Sequence, residues 1–167
     1  MKITCSLLSV TIAVTIVVAI SHAEASMAAS LSSPLQRFLA GEYELTTKVD
    51  DLPSSIQTAL FKRMKHDPRL GNPDDQFNAT DVVNPKHPMR RLIVAGHSPT
   101  SWFICYEHGG RGYHRQLVII ATDTGTPKIL FSGRFNATVS SYKELREAVQ
   151  RNLVPDETAE AERYGYY

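Results

Sequence analysis

Cysteine is nearly absent from this chain of 167 residues, which carries only Cys5 and Cys105. Cys5 falls in an N-terminal apolar run that reads as a removable leader, so one thiol remains, and an exported domain with one cysteine closes no internal disulfide. Stability must then come from an ordinary packed core, which a chain of this length can build. An excess of one charge is lacking too. Lys and Arg number 18 against 17 Asp and Glu, a formal net charge of +1, and the leader removes one of each sign, Lys2 and Glu24. That balance gives no reason to expect nucleic acid or an anionic membrane as a partner. Beyond the leader no apolar run approaches the length that spans a bilayer. Familiar zinc-ligand spacing, a phosphate-binding loop with its spaced Lys, and any cofactor signature are missing as well, so neither a metal nor a cofactor is expected.

What is present begins with an address. Met1 and Lys2 make a short positive start, residues 3–20 are apolar apart from small Thr, Ser and Cys, and Ala23-Glu24-Ala25 offers small residues where a signal peptidase reads. The pattern predicts cleavage after Ala25, with Ala23 as second choice, and a secreted or periplasmic mature protein. An uncleaved anchor is the alternative. Three segments result: a signal peptide over 1–25, a single globular domain over 26–155 and a flexible, tyrosine-rich tail over 156–167. Two Asn-Ala-Thr triplets, at Asn78 and Asn136, are glycan acceptors only in a eukaryotic secretory route. Each is preceded by phenylalanine, so the tetrapeptide Phe-Asn-Ala-Thr occurs twice.

Within the domain, Ser33-Pro34 predicts a short helix start, and residues 42–50 alternate as a half-buried strand does. Asp50-Asp51-Leu52-Pro53 opens a helix over about 53–65, with Ile56, Ala59, Leu60 and Met64 at helical spacing. Residues 67–88 hold Pro68, Pro73, Pro85 and Pro88 and form a long connection, with Phe77 and Val82-Val83 expected to pin its middle to the core. Four apolar runs at 91–96, 101–108, 113–122 and 128–135 follow, separated by turn chemistry, as in an antiparallel meander. Ser141-Tyr142-Lys143-Glu144 is a capping box that starts a helix over about 141–153. The fold class is therefore α+β. An antiparallel β-meander sheet of four to five strands packs against two main helices, which are expected to cover one of its faces.

Chemistry concentrates in the hairpin over 101–122. A two- or four-residue turn around Gly110-Arg111 sets Glu107 opposite His114 and Cys105 opposite Gln116, all on one face. Read as catalysis, Cys105 is the nucleophile, His114 its base and Glu107 the group orienting the imidazole. Read structurally, Cys105 is a small buried hydrophobe and Glu107 with His114 a cross-strand polar pair. An odd-numbered loop breaks the grouping. The stretch His108-Gly109-Gly110-Arg111-Gly112-Tyr113 supports a binding reading, because three glycines exceed what a hairpin turn requires and can expose backbone to a ligand or a partner. Arg90, Arg91, Arg111, Arg115 and Arg134 are candidates for an anion site.

The one-domain exported layout suits small envelope inhibitors and immunity proteins, though no motif identifies one. The expected function is that of a non-enzymatic binding or accessory protein with a protein partner in the envelope or extracellular space. The alternative is a small Cys/His-dependent hydrolase or metal-binding protein centred on residues 105–114.

Overall fold

The computed structural model describes residues 31–62, 64 and 67–158. Residues 1–30, which include the leader, and residues 159–167 of the tail lie outside the described residues, as do 63, 65 and 66; the helix predicted over 53–65 ends at Phe61. In chain order the elements are α1 (Ser33–Ala40), β1 (Glu44–Thr46), a 3-10 turn (Val49–Asp51), α2 (Ser54–Phe61), β2 (Leu70–Gly71), β3 (Arg90–His97), β4 (Ser101–His108), β5 (His114–Ala121), β6 (Lys128–Phe135) and α3 (Tyr142–Gln150). The strands make one sheet in the order β1-β3-β4-β5-β6. All these pairs are antiparallel. The two-residue β2 adds a parallel pair with the start of β3. The fold is α+β with a β-meander, as the turn-separated apolar runs indicate.

The expectation that both main helices cover one face does not hold. The strands are buried on both sides, with Phe103, Ile104, Cys105 and Tyr106 of β4 all in the core, as are Leu117 to Ile120 of β5. A sheet with two apolar faces needs cover on each. On one face Leu52, Ile56, Leu60 and Met64 pack with Leu92, Ala95, Ile104, Tyr106, Val118 and Ile120. A bulge at Ile93 brings Leu92 and Ala95, three residues apart, to that same side. On the other face Phe38 of α1 meets Phe103 edge-on with centroids 5.2 Å apart, and Tyr142 of α3 stacks on Phe103 at 5.2 Å. Arg146 of α3 donates to the Leu39 carbonyl at 2.6 Å, tying the two helices of this face together at the carbonyl end of α1.

Local chemistry explains the element ends. The Ser141 hydroxyl accepts from the Glu144 N–H at 3.3 Å, while the Glu144 carboxylate takes the N–H and hydroxyl of Ser140, each at 2.7 Å. This is the predicted capping box with its return bond moved one residue outward. At the far end Asn152 takes a left-handed φ of 55° and Leu153 N–H reaches the Ala148 carbonyl at 3.0 Å, closing the helix. The strand predicted over 42–50 is cut to three residues, because the chain turns at Val49, whose N–H is held by Asn72 Oδ1 at 2.8 Å.

The expected boundary at residue 155 falls beside a contact. Glu157 N–H donates to the Ser132 carbonyl, and Ser132 N–H to the Thr158 hydroxyl, both at 2.8 Å. The opening of the tail therefore lies along β6. Gly133 is required there, since a Cβ would stand 2.3 Å from the Pro155 carbonyl oxygen.

Candidate binding site at the hairpin end of the sheet

The site is a junction of two loops, residues 72–89 and Gly109–Tyr113, at the end of the sheet where β3 starts and β4 turns into β5. Its register differs from the one expected. His108 pairs with His114, so the loop holds five residues; Glu107 then faces Arg115, Tyr106 faces Gln116 and Cys105 faces Leu117. Odd loop length puts Cys105 and Glu107 on one face and His108, His114 and Gln116 on the other. The predicted catalytic group of Cys105, Glu107 and His114 is not brought together.

Each member has another explanation. Cys105 is 0% exposed, and burial pushes its thiol well above the ordinary cysteine range, against the thiolate a nucleophile needs. The Glu107 carboxylate receives Arg91 Nε at 2.9 Å and Arg91 Nη2 at 2.6 Å, a short bond from the Tyr113 hydroxyl, and Arg115 Nη2 at 3.6 Å. Arg115 also donates to the carbonyls of Ala137 and Val139, both at 3.2 Å, and Arg91 lies 4.3 Å over the Phe77 ring. Glu107 is thus the hub of a charge cluster joining β3, β4, β5 and both loops. Burial, and then the bond to Glu107, raise the Tyr113 phenol above its usual range.

On the opposite face the His108 and His114 rings meet edge-on at 4.9 Å. His114 Nδ1 lies 2.8 Å from the Gly112 carbonyl, which can only accept, so Nδ1 carries the proton. Burial, then the charges of Arg90, His114 and Arg134, lower His108 to about 4; burial lowers His114 too. A histidine depressed in the folded state binds fewer protons than in the unfolded chain, so its stability term is complete above about pH 6.5 and is lost as pH falls toward 4. Discounted for partial exposure, this amounts to about 1–2 kcal/mol. Urea unfolding at pH 7 and pH 4.5 should show wild type losing that much more than His108→Gln. Equal losses would remove His108 as the cause.

The arginines proposed for an anion site are dispersed. Arg91 and Arg115 are spent on Glu107. Arg90 is buried, donating to the Asp67 carbonyl at 2.5 Å, and Arg134 pairs with Glu157 at 3.4 Å. Among the described residues no cluster of three metal-ligating side chains exists. A cleft of about 500 Å³ lies between α1 and the β3–β4 and β5–β6 turns, lined by Phe38, Tyr43, Ser101 and Asp123 among others, and holds none of the predicted site residues.

The three glycines are each needed by the backbone. A Cβ on Gly109 would stand 1.8 Å from the Asn78 carbonyl oxygen, and Gly110 and Gly112 have φ of 80° and 79°. Gly109 N–H donates to the Met89 carbonyl at 2.9 Å and Gly110 N–H to that of Asn78 at 3.1 Å. Of the five residues assigned to binding, His108, Gly109 and Gly110 are therefore largely covered, whereas Arg111 and Tyr113 face solvent. The Arg111 side chain makes no hydrogen bond or ion pair among the described residues.

The neighbouring loop holds residues whose structural roles no sequence motif marks. Asn78 is 5% exposed; its Nδ2 donates to the carbonyls of Asn84 at 3.0 Å and His87 at 2.8 Å, and its Oδ1 accepts Asn84 N–H at 2.7 Å. This one amide closes residues 78–87 into a compact loop. Val82 and Val83, expected to pin the loop to the core, stand at its tip, 84% and 57% exposed. Two adjacent valines in a polar stretch were the available signal, but alone they do not say which way they point. No family model, no curated protein and no solved structure matches the chain.

Proposed function

We propose that the mature chain is an exported, non-enzymatic binding protein that docks a protein partner with the paired loops at the hairpin end of the sheet. The observation that carries this reading is the exposure of Val82 and Val83 on a loop held rigid by buried Asn78. Burying apolar groups in water-facing loops is unfavourable to solubility unless something covers them, and a pre-shaped loop loses little entropy on docking. Arg111, unpaired on the adjoining loop, supplies a charged anchor, and the amphipathic Tyr113 ring lies beside it. The partner would present an apolar recess beside an acidic group. The leader-like N-terminus supports the envelope or the extracellular space as the place of meeting. The hydrolase alternative gains no support from a covered thiol and a carboxylate already held by three donors.

Arg111→Ala and Val82→Asp/Val83→Asp tested on extracellular or envelope fractions of the producing cell should each weaken retention of the same partner at least tenfold. Their melting temperatures should stay within about 2 °C of wild type, as expected for exposed positions. Unchanged retention by both variants would overturn this reading. A large fall in melting temperature would make the loops structural.

A further inference from the structure

The tetrapeptide Phe-Asn-Ala-Thr occurs at 77–80 and again at 135–138, and the fold gives its two asparagines opposite roles. We infer that in a eukaryotic secretory compartment Asn136 carries an N-linked glycan in the folded protein and Asn78 does not. The inference rests on the export reading.

Both triplets satisfy the acceptor pattern equally, so sequence cannot separate them. Their surroundings do. Glycosylation replaces one Nδ2 hydrogen by a sugar, and in Asn78 both hydrogens are committed, to Asn84 and His87 carbonyls. The side chain is also enclosed. Its backbone is covered as well: Asn78 N–H donates to the Pro88 carbonyl at 2.9 Å, and Gly109 packs against its carbonyl. A sugar there would occupy the place of the His87 carbonyl and open the loop. Asn136 stands in the exposed turn between β6 and α3, and its amide makes no hydrogen bond among the described residues. Arg115 holds the turn by the Ala137 and Val139 carbonyls, which leaves the Asn136 side chain outside that contact. A glycan at this position costs the fold no hydrogen bond.

The test is to express the full chain in cultured eukaryotic cells, recover folded protein from the lumen and medium, and map the site by peptide mass after enzymatic deglycosylation in heavy-oxygen water, which marks the acceptor as labelled Asp. Label at residue 136 and none at 78 is expected. Thr138→Ala, which leaves Asn136 in place, should abolish the glycan, and Thr80→Ala should leave it unchanged. Label at Asn78 of folded protein, or lumenal protein with no label at 136, overturns the inference while export stands. A chain left accessible to protease on the cytosolic side overturns the export reading and this inference with it.

Discussion

Glu107→Ala should cost about 3 kcal/mol of unfolding free energy, the largest loss expected from a single side chain near the site. Removing the carboxylate strands two guanidiniums, Arg91 and Arg115, in partly covered positions, and leaves the Tyr113 hydroxyl without its acceptor. Arg115 keeps its bonds to Ala137 and Val139, so it cannot swing freely into water. Arg91 is the more exposed of the two and recovers part of its hydration, which keeps the figure below the top of the range for broken buried pairs. Urea unfolding at pH 7 measures the difference. A loss under 1 kcal/mol would mean that the cluster behaves as a surface network, worth little despite its short distances.

Gly109→Ala should do comparable damage by another route. The new methyl would meet the carbonyl oxygen and carbon of Asn78 at 1.8 and 2.7 Å. These are backbone atoms, and no rotamer change relieves the overlap. The two loops must separate, losing the Gly109–Met89 and Gly110–Asn78 bonds, and a destabilisation of about 3 kcal/mol is expected. Gly112→Ala is the matched control. Its φ of 79° penalises a side chain, but nothing lies within 4 Å of the added carbon, so about 1 kcal/mol should be lost. The comparison sorts steric contact from backbone strain. Equal losses in both variants would show that the loops are not in contact at Gly109 in solution.

Much of the fold is legible in the residue pattern, because its determinants are local. Turn residues bracket each apolar run, Ser141 and Glu144 announce α3, and 91–96, 101–108, 113–122 and 128–135 lie within a residue or two of β3 to β6. What local pattern does not carry is parity. Whether the hairpin loop holds four or five residues depends on Gly109 resting against Asn78, thirty-one positions away in the chain, and that one residue moves His114 to the face opposite Cys105. Cover on both faces, by contrast, was written in β4 and β5, whose consecutive apolar residues, Phe103 to Tyr106 and Leu117 to Ile120, differ from one-sided alternation. For the candidate site, turn composition named Arg111 and Tyr113, which the fold leaves exposed. It did not name Arg91 and Arg115 as holders of Glu107, since a strand-end arginine looks the same whether it shields an edge or completes an ion cluster. Asn78 was masked by its triplet, which draws attention to carbohydrate rather than to loop closure.

The seal along β6 has a consequence for how copies of this chain behave when crowded. An uncovered edge strand offers a neighbour a ready template for ladder growth and, eventually, fibres. Here Ser132, in the middle of that strand, already has its N–H and carbonyl occupied by residues 157 and 158, and at the other margin β1 is only three residues long. Residues 157 and 158 thus occupy the ladder position that Ser132 would otherwise offer to a neighbouring strand. Ending the chain after Val154 removes both bonds and leaves the Ser132 N–H and carbonyl open for pairing.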